Sequence, residues 1–345
     1  MATTIRDVAR RAQVSTATVS RVLAGIGQVR PETRDRVLDA ARAMDYRPSG
    51  IARSLKLRQT RTLGLIVTDI ENPFFPELVR AVEDAAREAG YAVLLCNAAD
   101  DPEREAAYLD LLFERRVDGV VIAASSLGTR HKEWLAEPPL PVILVNAVEG
   151  PPLPTVASDS RGGARLAVEH LLSLGHRRIA HLAAPPRNPD GSERLEGARA
   201  GIAGAGLDPA TMLVVVDDAG VAGGERAMRE VLVRDRSVTG VFAYNDLMAI
   251  GALRAIRATG RSVPRDISVV GFDDIALSAY VDPPLTTIAQ ETAAMGRWAV
   301  GRLIASLASP GSRPPSERMP VSLRVRGSTG PAPARARARR VTASS

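Results

Sequence analysis

Apolar positions recur at helical spacing through the first sixty residues and then give way to short continuous runs. In Ile5–Ala12 the residues Ile5, Val8, Ala9 and Ala12 share one face, which predicts an amphipathic helix. The pattern breaks at Gln13 and Val14. Ser15 then stands where its side-chain oxygen can accept from a free backbone N–H two or three residues on, so a second helix starts there. On that helix Thr18, Val19 and Val22 fall on one side, and Thr16, Ala17, Ser20 and Arg21 on the other. The string Arg30-Pro31-Glu32-Thr33 opens a third helix, because proline suits the first turn, and Val37, Leu38, Ala41 and Met44 form its apolar face. The segment 49–56 follows, with Ile51, Ala52 and Leu55 on one side and Arg53, Lys56 and Arg58 near it. It is too short to hold a helix alone.

Beyond Arg61 the period changes. Residues 63–67, 92–96, 117–122 and 142–145 read as buried strands, with helices over 76–89 and 103–115 between the first three. The alternation then repeats, with strands over Ile179–Ala183, 214–216, 241–243 and 268–272 and helices over 165–174, 194–205, 222–234 and 246–259. A strand over 285–288, a helix over 292–307 and a last strand over 321–326 close the pattern. Alternating strands and helices imply parallel sheets covered on both faces. Two such units in tandem predict two lobes with a cleft between them.

The first stretch carries the sharper signal. Two short helices, a tight turn and a second helix rich in small residues meet the requirements of a helix-turn-helix. In that motif the second helix puts its N-terminal residues on base edges in the major groove. The charge distribution agrees. Residues 1–60 carry 12 Lys+Arg and 5 Asp+Glu, residues 331–345 carry four Arg and no acid, and the stretch between them has a net charge of −5. A basic head on a mildly acidic body is the footprint of a DNA-binding module attached to a core that does not touch DNA. The short basic segment can fold on DNA and push Leu55 between base pairs in the minor groove. There is no apolar run of about 18 residues and no apolar signal-peptide core, so neither a membrane span nor export is expected. The single cysteine, Cys96, lies in an apolar run, reads as buried and inert, and fits a reducing cytoplasm.

The order of these pieces resembles the lactose-repressor (LacI/GalR) family of bacterial transcription regulators. The residues that carry the resemblance are DVARRAQVSTATVSRVL, RPETRDRVLDAARAMDYRPSGIARSL and TRTLGLIVTDIENPFFPELV, and it runs over residues 3–329. It implies an α/β fold: an N-terminal all-α helix-turn-helix head on a two-lobed, periplasmic-binding-protein-like core of two doubly wound parallel sheets. The implied boundaries are a head over 1–47, a hinge helix and linker over 48–60, a first lobe over 61–158 with 287–314, and a second lobe over 159–286 with 315–329. The low-complexity basic stretch 330–345 reads as a disordered tail. Carried over by position, Thr16, Ala17 and Arg21 would read bases, with Ser20 on the same face, and Leu55 would be the minor-groove wedge, supported by Ala52. Arg53 and Lys56 would hold phosphates. The sequence departs from the family pattern at Gln13, where glycine is common in the turn; a left-handed backbone there costs ~1 kcal/mol. Ala24 replaces a common asparagine.

Open parallel sheets bind ligands beyond the carboxyl ends of their strands. Asp69, Asn72, Phe74 and Phe75 follow the first strand, and Asp159 and Ser160 follow the crossing near Val156. Asn188, Asp190 and Arg194 follow Ala183, Asn245 and Asp246 follow Ala243, and Asp273 and Asp274 follow Phe272. Such side chains suit the vicinal hydroxyls of a sugar, and an aromatic can pack on a sugar ring. The expected effector site is Asn72, Phe74, Phe75, Asp159, Arg194, Asn245 and Asp273, with Arg194 also matching the family arginine that holds effector oxygens. Asn72-Pro73 is equally a turn signal, Asn245 and Asp246 equally helix caps, and Phe74 and Phe75 equally core. A carbohydrate fits a polar, aromatic-poor pocket better than a nucleobase.

No phosphate-binding glycine loop, metal cluster or nucleophile motif is found, and His131, His170, His176 and His181 have no ligand spacing, so neither enzyme, cofactor nor metal is expected. The expected protein is a cytoplasmic, nucleoid-associated repressor that binds pseudo-palindromic double-stranded operator DNA as a homodimer under control of a small-molecule effector. The alternative is a sugar-binding protein without specific DNA recognition.

Overall fold

The computed structural model describes residues 3–25, 27–46, 59–124, 137–147, 153–185, 189–309 and 315–333. It divides into a unit over Met1–Arg61 and a larger one over Thr62–Ser345.

The smaller unit packs three helices, α1 (Ile5–Ala12), α2 (Thr16–Ala24) and α3 (Pro31–Ala43). Its core is Val8, Ala9, Ala12, Val19, Val22, Val37, Ala40 and Ala41, all buried. Ser15 caps α2 by accepting from the Thr18 N–H at 3.1 Å. Gln13 ends α1 in the left-handed region, at φ 53°, and the Val14 N–H returns to the Ala9 carbonyl. The turn therefore keeps the glycine-type conformation without the glycine.

The larger unit holds two six-stranded sheets. The first contains β1 (Thr62–Val67), β2 (Ala92–Asn97), β3 (Gly119–Ala123), β4 (Val142–Val145), β5 (Thr155–Ser158) and β11 (Glu317–Met319), in the order β11-β5-β4-β3-β1-β2. The second contains β6 (Ile179–Ala183), β7 (Leu213–Val216), β8 (Gly240–Ala243), β9 (Ser268–Asp273), β10 (Thr286–Gln290) and β12 (Val321–Arg324), in the order β12-β10-β9-β8-β6-β7. The described pairings are parallel except β10–β12. Strands β3, β4, β6 and β8 are buried along their whole length, as strands covered on both faces must be.

The covering helices are α4 (Phe74–Glu88), α5 (Pro102–Glu114) and α10 (Thr292–Ala308) on the first sheet, and α6 (Ser160–Ser173), α7 (Pro189–Gly204), α8 (Val221–Arg234) and α9 (Asp246–Ala258) on the second. Helix pairs on the second sheet touch through glycine. A Cβ on Gly251 would lie 2.0 Å from the Val221 carbonyl oxygen, and one on Gly224 would lie 2.1 Å from that of Met248.

Four expectations are corrected. Residues 287–290 belong to the second sheet, because β10 pairs with β9, and the chain returns to the first lobe only with α10. Residues 317–319 form β11 on the first sheet beside β5. That strand is polar and largely exposed, so it has no apolar signature in the sequence. Helix α4 starts at Phe74 and not at Pro76, because the Asn72 side-chain oxygen accepts from the Phe74 N–H and begins the turn earlier. The tail does not begin at 330. The Gly330 N–H donates to Ser268 Oγ, and the Ala332 N–H donates to the Leu174 carbonyl at the exposed end of α6. Residues 334–345 lie outside the described residues.

Candidate functional site: a polar cleft and a helix-turn-helix face

On the smaller unit, Thr16, Ala17 and Arg21 are exposed and Ser20 is half-buried, while Val19 and Val22 on the same helix are fully committed to the core. The outward face of α2 thus carries one guanidinium, two hydroxyls and a methyl group. Asp7 on α1 accepts from both the hydroxyl and the N–H of Thr4, and these bonds hold its carboxyl below the usual range. The remaining residues expected to meet DNA, Ala52, Arg53, Leu55 and Lys56, lie outside the described residues.

On the larger unit, a cavity of about 240 Å³ opens between the two sheets at the carboxyl ends of their strands. Six of the seven expected effector residues line it: Asn72, Phe74, Phe75, Arg194, Asn245 and Asp273. Phe74 and Phe75 meet edge-to-face, 5.3 Å between ring centroids, and both are buried as well as lining the cavity. Asp159 is a correction. It does not line the cavity; its carboxylate accepts from the Gly162 N–H at 2.9 Å and is spent capping α6. Asn188 lies outside the described residues.

Arg194 is the centre of the site. Only 2% of it is exposed. Its Nη1 donates to the Tyr244 carbonyl at 2.6 Å, and its Nη2 reaches Asp190 at 3.3 Å and Asp273 at 3.6 Å. The guanidinium lies between two rings, with Cζ 3.8 Å from the Phe272 centroid and 4.4 Å from that of Tyr244. Burial works against its charge, but the neighbouring Tyr244, Asp273 and Asp190 more than offset this and its pKa is raised. Its Nε–H has no partner among the described residues.

Asp273 closes the other side. Burial pushes its carboxyl up to about 7, although Arg194 and a 2.7 Å hydrogen bond from Gln290 Nε2 both favour the charged form. Asp190 is raised by burial too. Asp273 has φ 113°, and the cavity residues Asp100, Ala124 and Asn146 also have positive φ. Side chains rarely tolerate that region, and strained backbone of this kind gathers at ligand sites. Asn245 touches the cavity but also caps α9, with Oδ1 accepting from Met248 N–H and Nδ2 donating to Ala219 O. Asp246 turns away into the core, where it accepts from Thr287 Oγ1 and the Ile275 N–H.

The sequence reading missed Asn146, Asp218, Tyr244 and Gln290, which also line the cavity. Asn146 and Tyr244 directly follow β4 and β8, and Gln290 ends β10. Applying the strand-end rule to every strand finds them.

The sequence relatives match this arrangement. Residues 4–49 match the family model "Bacterial regulatory proteins, lacI family", and residues 168–329 match the periplasmic binding protein-like domain. The ribose operon repressor of Halalkalibacterium halodurans is 40% identical over 288 residues, which cover 84% of this chain and 85% of that protein. The chain belongs to the lacI family of bacterial regulatory proteins. The lac repressor dimer bound to operator and the anti-inducer ONPF superposes on this lacI-family chain with a TM-score of 0.85 at 29% identity, covering 96% of this chain and 100% of that one. A lacI-family regulator from Enterococcus faecium with bound ribose superposes with a TM-score of 0.71 at 34% identity, covering 78% of this chain and 99% of that one. The helical head and the two parallel sheets are the lacI-type fold. Among the described residues no helix is long and apolar enough to cross a membrane, and no group of three or more His, Cys, Asp or Glu could hold a metal.

Proposed function

We propose that this lacI-family protein is a transcriptional repressor, acting in the cytoplasm, that binds a two-fold operator as a homodimer and responds to a neutral monosaccharide in the cleft. The carrying observation is Arg194, buried in the cavity wall, with an Nε–H that has no partner among the described residues, and flanked by Asp190 and Asp273. Donor and acceptors fixed side by side suit adjacent hydroxyls, and Phe74 and Phe75 offer apolar edges for a sugar ring. The volume, about 240 Å³, is below the roughly 300–1,000 Å³ of pockets for drug-sized ligands and suits a single ring. Five aspartates line the cavity, Asp69, Asp100, Asp190, Asp218 and Asp273, against one guanidinium among the described residues that line it; Arg226 pairs with Asp218, and burial raises Asp190 and Asp273 towards the neutral form. That balance disfavours a phosphorylated sugar. The ribose named for the Enterococcus relative and the ribose operon repressor agree with the class.

On the DNA side, Thr16, Ala17, Ser20 and Arg21 would face base edges, and Ala52, Arg53, Leu55 and Lys56 the minor groove and its phosphates. Arg21 can give guanine two hydrogen bonds. The edge strand β2 exposes Leu94 and Leu95, and Leu277 and Tyr280 are exposed on the second lobe. Such apolar surface on a soluble body calls for a partner, and a second copy of the chain meets the need of a two-fold operator.

The test has two arms. The protein is incubated with sheared DNA from its own genome, and the retained fragments are sequenced; a two-fold motif is expected, and retention without any motif would leave only the solute-binding alternative. Calorimetry with D-ribose, D-ribose 5-phosphate and hypoxanthine then reads the pocket. Binding of the neutral sugar in preference to the other two is expected, and preference for the phosphate or the purine refutes the effector class.

A further inference from the structure

The chain crosses between the lobes three times, at 158–160, 290–292 and 319–321. Side chains tie these crossings to the cavity. Arg318, on β11 of the first lobe, donates from Nη1 to the Ser158 carbonyl at 3.2 Å. Its guanidinium also forks onto Glu193, with Nη1 to Oε2 at 3.0 Å and Nη2 to Oε1 at 2.9 Å. Glu193 belongs to α7 of the second lobe and immediately precedes Arg194. At the second crossing, Gln290 Oε1 accepts from Ser158 Oγ at 2.5 Å and from Asn146 Nδ2 at 3.3 Å, while its Nε2 donates to Asp273.

From this geometry we infer that Glu193 and Arg318 are a positioning pair that couples occupancy at Arg194 to the angle between the lobes. The inference rests on the reading of the cleft as the effector site. Successive residues on a helix of 3.6 residues per turn point about 100° apart. Arg194 therefore faces the cavity while Glu193 faces the crossing, on one rigid turn of α7. An effector that draws Arg194 away from Asp190 or Asp273 moves that turn, and the fork carries the movement to Arg318 and to the Ser158 carbonyl. The pair is half-open to solvent, with the Arg318 side chain 50% exposed and that of Glu193 14%, so its contribution to stability is modest. Its two parallel hydrogen bonds do fix direction, which a single contact would not. The Gln290 amide supplies the second tie, from Asp273 to the same Ser158. Both ties thus converge on one residue at the first crossing.

The experiment uses the whole chain with Arg318→Met, which keeps the stem, Glu193→Gln, which keeps the shape, and Arg318→Lys, which keeps the charge and a donor but not the fork. Amide hydrogen exchange over 158–160 and 319–321 is measured without ligand, beside the unfolding temperature. The Met and Gln variants should exchange faster there with only a small change in Tm, and Arg318→Lys, which keeps a donor for the Ser158 carbonyl, should stay nearer the starting protein. Operator affinity is then measured with and without D-ribose. The ratio of the two should shrink by about 5-fold or more in the Met and Gln variants, the lower end of ordinary allosteric couplings, and recover in part in Arg318→Lys. Unchanged exchange in both the Met and the Gln variants, or an unchanged ratio, overturns the inference. If D-ribose alters nothing in the starting protein, the sugar reading falls, and the ligand-free exchange still decides the pair.

Discussion

Asp273 shows how one residue links strain, charge and ligand. It ends β9 with φ 113°, lines the cavity and sits 3.6 Å from the Arg194 guanidinium. Burial raises its carboxyl from 3.8 to about 7. The native state therefore holds a proton there that the unfolded chain releases, so this group's contribution is fully present below pH ~4 and is lost as pH rises to about 7. Asp273→Asn should flatten that part of the stability profile, read as the difference between the two proteins in urea unfolding from pH 4 to pH 8. An identical slope in both would mean that the carboxyl is ionised throughout. Arg194→Ala should abolish the response to the effector and leave operator binding intact, as measured by titration of the operator complex with the sugar. It should also cost stability on the order of 1–3 kcal/mol, because the buried Tyr244 carbonyl loses its donor and Asp190 and Asp273 lose their cation. Normal effector affinity in that variant would move the site elsewhere.

At the scale of elements, the second lobe depends on helices that touch backbone to backbone. Gly251 of α9 faces the Val221 carbonyl and the Glu225 N–H of α8, and neither atom is the end of a flexible side chain. Gly251→Ala should destabilise the protein by about 1–3 kcal/mol, the range for an overpacked core, with a loss of urea midpoint as the readout. A neutral result would show that the pair of helices slides apart freely. The helix-turn-helix turn poses the opposite case. Gln13 takes a left-handed conformation that glycine would adopt without a Cβ penalty, yet its N–H still closes the end of α1. Element boundaries were legible at the caps Ser15 and Asn245, but the Asp159 cap starts α6 at Ser160 and not at the expected 165. They were illegible where a side chain outside the helix began the turn, as Asn72 does for α4.

For the whole molecule, function follows from joining a small basic reader to a two-lobed sensor. Arg21→Ala should cost operator affinity about 1–3 kcal/mol and relax the preference at one base per half-site, measured by selection from a randomised operator pool. A uniform loss over all sequences would make Arg21 a phosphate contact. Much of this arrangement was readable in the chain. The 3.6-residue period, the cap at Ser15 and the charge of the first sixty residues determined a helical DNA-reading head, because these are properties of neighbours in sequence. The alternation of buried strands and helices determined two parallel α/β lobes for the same reason. Tertiary structure alone decided which lobe receives β10 and β11, since sheet membership depends on hydrogen bonds between strands far apart in the chain and a polar strand such as 317–319 carries no period of its own. It also decided that Asp159 caps a helix while Gln290 enters the cavity. Both are polar residues at strand ends, and only the groups within reach of each side chain separate a cap from a ligand contact.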